Sequence, residues 1–188
     1  MNEVAELYRR AMEQFGRLLR DVRDDQWDAP TPCAEWSVRD LANHVIGENR
    51  WMVPMMEGRT ISDVGDALDG DLLGDDPSGE WDRAAKEALA MVEEPGTLER
   101  TVHLSFGDFS GRVYVGQVLS DHVIHAWDLA RAIGANESLD PELVRFAHDE
   151  LVPQFEQWRQ AGAFGDRVDV PDDADLQTKL LAEAGRKA

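Results

Sequence analysis

Apolar residues return every three or four positions in five separate stretches of this chain, a period that dictates helices packed face to face. The first stretch places Val4, Leu7, Ala11, Phe15, Leu18 and Val22 on one stripe of a helix ending near Asp24 or Asp25. The second has a clear start. Ser37 is its N-cap, Asp40 can close a capping box, and Trp36 can staple onto Leu41. It runs past His44 and Trp51 to Pro54, which lacks an amide hydrogen and should kink or end it. Ser78 is the expected cap of a third helix, with Trp81, Ala84, Ala85, Ala88 and Val92 facing inward and Pro95-Gly96 at its end. A fourth spans about Val113 to Ile133 and stops at Gly134. The fifth opens on Asp140-Pro141, the favoured order of cap and first helical residue. It carries Leu143, Phe146, Leu151, Phe155 and Trp158 past an expected kink at Pro153.

Between these stretches the pattern changes. Glycines and aspartates in 58–77 break every period and predict a long acidic surface loop, with at most a turn of helix in ISDVGDAL and a potential role as a cover. Asp66, Asp69 and Asp71 are wrongly spaced for an EF-hand, and no bidentate glutamate follows them. Over 98–112 the period becomes two: Val102, Leu104 and Phe106 alternate with His103 and Ser105, and Gly107-Asp108 suggests a turn, so a short hairpin is expected. An extended VDVP and a last helix around Leu176–Ala184 close the chain. The prediction is an all-α helical bundle with a small extended insertion. It forms one domain over 1–188, with a core over 1–160 and a C-terminal extension over 161–188.

Composition narrows the partners. The 188 residues hold 38 acidic and 19 basic side chains, a net charge of −19, which argues against phosphate backbones and anionic lipid. No apolar run approaches the roughly 20 residues that span a bilayer. The opening MNEVAELYRR reads as a helix start rather than a signal peptide, so a cytoplasmic protein is expected. One cysteine, Cys33, rules out an internal disulfide and a Cys-rich zinc module.

The chemistry sits with the five histidines. Asp121 and His125 are one turn apart on the fourth helix, a spacing that lets both bind one metal ion. His122 lies near the centre of that helix's apolar stripe and is a second option. On the second helix His44 flanks the inner stripe with Glu48 one turn on. His44, Asp121 and His125 would supply three N/O ligands and leave positions open for water or substrate. On these residues alone the signal is modest, and core histidines with solvated carboxylates are the commoner arrangement. Asp128 and Arg131 read as an intrahelical ion pair, or Asp128 as a cap on a neighbouring backbone; Trp127 reads as a packing residue, Cys33 as a small buried thiol whose place before the second helix could bring it near a metal, and His148 as structural or exposed. His103 sits on the polar side of its strand, within conceivable reach of a substrate.

The segments TPCAEWSVRDLANHV, HLSFGDFSG, HVIHAWDLARAIG and VPDDADLQTKLLAEAGR resemble the DinB-like superfamily along nearly the whole chain. The likeness is to small proteins related to the metal-binding domain of mycothiol-dependent maleylpyruvate isomerase. That resemblance implies a four-helix bundle of up-down-down-up path with a divalent metal on His44, Asp121 and His125. It also implies activation of a low-molecular-weight thiol, such as mycothiol or bacillithiol, for transfer to an electrophile. Glu48 would then be a base or hydrogen-bond a ligand from outside the metal's own shell. Zn²⁺ is expected on ligand type, with Ni²⁺, Fe²⁺ or Mn²⁺ tolerated. The isomerase has a further α/β domain for which these residues leave no room, so its substrate specificity is not expected here. A metal-dependent thiol S-transferase is the leading expectation; the alternative is a non-enzymatic bundle that binds metal or a small ligand in sensing or stress. The partners would be a small-molecule thiol and an electrophile, and a homodimer is left open.

Overall fold

The computed structural model describes residues 3–160, 162 and 165–188. Its elements are α1 (Glu3–Arg20), α2 (Val38–Met56), α3 (Ile61–Val64), α4 (Pro77–Glu93), β1 (Thr101–Leu104), β2 (Gly107–Ser110), α5 (Gly111–Ile133), α6 (Pro141–Leu151), α7 (Phe155–Gln160) and α8 (Leu176–Glu183). The fold is all-α, with one antiparallel hairpin pairing Val102 with Phe109. Four long helices form the bundle: α5 lies between α1 and α2, and α4 closes the opposite side against both. Outside them, α6 covers α5 and α8 covers α6. Buried on nearly every face, α5 is the helix the others pack around.

Local chemistry explains most boundaries. Ser37 Oγ accepts from the Asp40 amide while the Asp40 carboxylate accepts from the Ser37 amide at 2.9 Å, closing the expected box. Gly134 ends α5 at φ 71°, where a side chain would be strained. Gly16 on α1 lets the Trp81 indole of α4 lie against the backbone, where a Cβ would collide with it. Ser110 caps α5, which begins at Gly111, two residues ahead of the predicted start.

Several expectations are corrected. α1 stops at Arg20, before the acids Asp21, Asp24 and Asp25, whose charge is unfavourable at a helix C-terminus. Asp76, not Ser78, caps α4: it precedes Pro77 at the first helical position, the same Asp-Pro order that opens α6. Pro54 sits inside the last turn of α2, which continues to Met56. The predicted fifth helix is two, α6 and α7, because Pro153 offers no amide to carry the ladder through. The acidic loop is tied down: Val64 and Leu73 are buried, and Asn43 of α2 donates to the Gly70 carbonyl and accepts from the Leu72 amide. Phe106, placed on an apolar strand face by alternation, instead projects from the hairpin turn at 63 % exposure.

Candidate metal centre

Two helices build the site. His44 projects from α2; Asp121 and His125 project from α5 one turn apart. Asp121 spans the two imidazoles, with Oδ2 3.2 Å from His44 Nε2 and Oδ1 3.2 Å from His125 Nε2. The imidazole rings meet edge-on with centroids 5.0 Å apart, and Trp36 packs on His44 at 4.9 Å and on His125 at 5.9 Å. One donor atom from each of His44, Asp121 and His125 lies within 4.8 Å of the others, so a single ion could take all three.

His125 is held from both sides. Its Nδ1 lies 3.0 Å from Asp128 Oδ2, so a carboxylate faces each ring nitrogen, an arrangement that favours the doubly protonated ring. Burial pulls the His125 pKa down, but Asp121 and then Asp128 overcome that and leave it well above the ordinary value. Burial likewise raises the Asp121 carboxyl, and the two histidines reverse it to well below the ordinary range. The donor set fits a divalent cation on chemical grounds. A cation would replace the proton on Nε2, while Asp128 keeps Nδ1–H and with it the tautomer and ring orientation. Asp128 is itself fully buried and is gripped by Arg186 from beyond α8, with Nη2 to Oδ2 at 2.9 Å and Nε to Oδ1 at 3.2 Å.

Cys33 closes this side. Its Sγ lies 3.2 Å from Asp128 Oδ2, 3.2 Å from Arg186 Nη2 and 3.7 Å from His125 Nδ1. A Cys–His–Asp trio, absent as a sequence signature, is therefore assembled in space. It is not a nucleophile relay, because thiol and carboxylate crowd the same nitrogen and the other one faces Asp121. Cys33, His125 and Asp128 also have donor atoms close enough for an ion, but the Arg186 guanidinium already supplies the positive charge there.

The centre forms part of the wall of a cavity of about 1070 Å³. Glu48, Tyr114 and Gln117 also line it. Burial, then the nearby Asp121 charge, pushes the Glu48 carboxyl up to about 7 against the opposing pull of the histidines. Near neutral pH it can therefore both accept and return a proton.

His122 lies elsewhere. It is buried among the rings of Tyr8, Phe15 and Trp81, with Nδ1 2.6 Å from the Val118 carbonyl oxygen. Burial lowers its pKa to about 4, so it is neutral and outside both donor sets. Asp128 does not pair with Arg131, which instead reaches Glu137 at 3.0 Å and stacks over Trp127. His103 pairs with Asp108 at 2.8 Å on the hairpin and does not line the cavity, although Leu104 and Phe106 do. His148 neighbours Asp149 at the surface. Among the described residues Asp66, Asp69 and Asp71 form no group able to hold an ion. Sequence reasoning missed two functional side chains. An aspartate one turn from His125 on a buried face was a readable signal for Asp128; none pointed to Arg186.

Fold and site together define a helical bundle with a two-histidine, one-carboxylate cluster at the wall of a deep cavity. The chain belongs to the family of the mycothiol maleylpyruvate isomerase N-terminal domain, whose model matches residues 8–130. That span contains His44, Asp121, His125 and Asp128 but not Arg186. Among relatives, the uncharacterized proteins MT0763 (strain CDC 1551 / Oshkosh) and Rv0738 (strain ATCC 25618 / H37Rv) of Mycobacterium tuberculosis are each 34 % identical over 188 residues, covering 95 % of this chain and of the relative. Comparison with solved structures gives no match to this chain. No helix among the described residues is long and apolar enough to cross a membrane.

Proposed function

We propose that this protein is a metal-dependent thiol S-transferase that joins a low-molecular-weight thiol of the mycothiol kind to a small electrophile. The observation that supports it most is the convergence of His44 Nε2, the Asp121 carboxylate and His125 Nε2 on the wall of a roomy cavity. A divalent ion held there, Zn²⁺ on ligand type, would stabilise the thiolate of a bound thiol at neutral pH. His44, Asp121 and His125 are its holders, and Asp128 fixes His125 so that Nε2 faces the cavity. Glu48 accepts the proton that the thiol gives up. The substrate's own sulfur then forms the bond to the electrophilic carbon as that carbon's leaving group departs with the bonding electron pair, so no protein nucleophile is needed. Cys33, committed to Asp128 and Arg186, is not one. The reading places the protein in the cytoplasm, where such thiols are kept reduced, with two small molecules as partners and neither nucleic acid nor membrane.

Two measurements test it. Protein purified without an affinity tag should carry about one divalent ion per chain, lost in His44→Ala and His125→Ala. Metal-loaded protein should then accelerate conjugation of mycothiol, bacillithiol or glutathione to a model electrophile. Bound metal without turnover by any of these thiols would leave a metal-binding bundle that is not a transferase. Metal content unchanged in both variants would sink the site itself.

A further inference from the structure

The chain has two tyrosines, both buried, and their hydroxyls are treated differently. Tyr8 donates to Asn49 Oδ1 at 2.7 Å. Tyr114 lines the cavity at 6 % exposure, and among the described residues its hydroxyl has no hydrogen-bond partner. That hydroxyl is not sealed in, so it reaches the open space. Gln117, half-buried three residues on, lines the same cavity, and its amide is equally without a partner among the described residues. Polar groups on packed side chains ordinarily find partners, so two left open at one wall are aimed at what enters.

Their placement relative to the metal centre follows from helix geometry. Counting back along α5 from Asp121, Gln117 stands one turn away, about 6 Å, and Tyr114 nearly two turns, about 10 Å, on the same face. Beside it α2 runs antiparallel: His44 meets Asp121, and Met56 packs against Gly111. Glu48 of α2 therefore faces the same stretch and also lines the cavity. Burial, then the Glu48 charge, pushes the Tyr114 pKa above its ordinary value, so the phenol remains a neutral donor. Toward His125 the polar side chains are bonded to one another, with Cys33 and Arg186 on Asp128. A thiol held by its sulfur at His44, Asp121 and His125 meets unmade hydrogen bonds along α5 in the direction of Tyr114.

We propose that Gln117 and Tyr114 form a subsite for an amide or hydroxyl on the arm of the thiol that leads away from its sulfur. The phenol and the carboxamide each donate and accept, which matches groups that do both. Assigning the arm to the thiol rests on the transferase reading; the affinity of the subsite for such a group does not. Both residues determine specificity rather than carry out chemistry, because they stand one and two turns from the reacting atoms.

NMR titration of the full chain as purified tests the subsite with two probes: N-acetylcysteamine, which has the amide, and 1-propanethiol, which lacks it. N-acetylcysteamine should shift the Gln117 side-chain amide signal. Its dissociation constant should rise by about threefold or more in Gln117→Leu and in Tyr114→Phe, while that of 1-propanethiol stays within about twofold. Because the Tyr114 hydroxyl has no protein partner, Tyr114→Phe should keep the urea midpoint of wild type, whereas Tyr8→Phe should lower it. No shift at Gln117, unchanged affinity in both variants, an equal loss for both probes, or a lowered midpoint in Tyr114→Phe overturns the inference. Thiol-transfer kinetics separate it from the reading it extends. No transfer, with the amide dependence intact, defeats the transferase reading alone. Transfer in which the variants raise KM for the electrophile and not for the thiol defeats the assignment to the thiol's arm.

Discussion

His122 and His125 sit three residues apart on α5, and their surroundings could hardly differ more. Three residues turn a helix by about 300°, so His122 points into the bundle centre and His125 toward the cavity. Both are buried, at 0 % and 6 % exposure. His122 meets three aromatic rings and one carbonyl, and burial holds it neutral with its pKa near 4. His125 meets a carboxylate at each nitrogen, and Asp121 and Asp128 hold its pKa well above the ordinary value against the pull of burial. Burial alone therefore does not decide what a histidine does; the groups that share the burial decide it.

The largest effect is expected where the His125 surroundings are dismantled from behind. Asp128→Ala leaves the Arg186 guanidinium, itself only 11 % exposed, without its carboxylate and frees His125 Nδ1. Breaking a buried pair from one side costs about 3–5 kcal/mol, to be read from urea unfolding of the metal-free protein. Metal affinity should also fall by roughly 10–100-fold, because the ring that presents Nε2 is no longer held. A stability loss without any loss of metal affinity would show that Asp128 supports the fold and not the site.

The pH dependence contrasts the two histidines directly. His122 has a folded pKa of about 4 against an ordinary 6.5, so its contribution is fully present above 6.5 and lost as the pH falls toward 4. That loss amounts to about 3 kcal/mol. His125 is the reverse: its pKa is raised, so its contribution is complete below 6.5 and lost as the pH rises through the folded value. Glu48, raised to about 7, also favours the acid side, losing its contribution as the pH climbs from 4.5. A difference measurement isolates His122. Between roughly pH 8 and pH 4, wild type should lose about 3 kcal/mol relative to His122→Phe, whose ring fills similar space and cannot charge. A constant difference across that range would mean that His122 has a partner able to stabilise its charge.

How much of this was legible follows the same line between local and distant causes. The Ser37–Asp40 box, Asp140-Pro141 and the Gly134 stop are written within a few adjacent residues, and the structure keeps all three. The sequence also carried the three donors, because i,i+4 spacing fixes Asp121 beside His125 and the bundle brings α2 alongside α5. Asp128 was misread because an acid three residues before Arg131 matches a common surface pairing, and only packing shows that its carboxylate is fully buried. Arg186 lies 58 positions from Asp128, and no local period records which helix the tail will reach. Phe106 was assigned by alternation to a strand face, but the turn begins at Ser105, two residues sooner than expected.

The smallest expected effect decides which nitrogen of His125 takes the metal. The alternative donor set uses Cys33, Asp128 and the Nδ1 side; the proposed one uses Nε2 with His44 and Asp121. Cys33→Ser discriminates between them. A serine hydroxyl can still donate to Asp128 and accept from Arg186, the two contacts the thiol makes at 3.2 Å. If the metal sits at Nε2, affinity should change by no more than about threefold, and stability by no more than about 1 kcal/mol. The Co²⁺-substituted protein should then show no thiolate-to-cobalt charge-transfer band before or after the substitution. If the metal instead displaces Arg186 at Nδ1, that band is present in wild type and vanishes in Cys33→Ser, with affinity falling by about 100-fold or more. The first outcome keeps Arg186 and Asp128 as the support behind His125, which is the arrangement that the buried pair already favours.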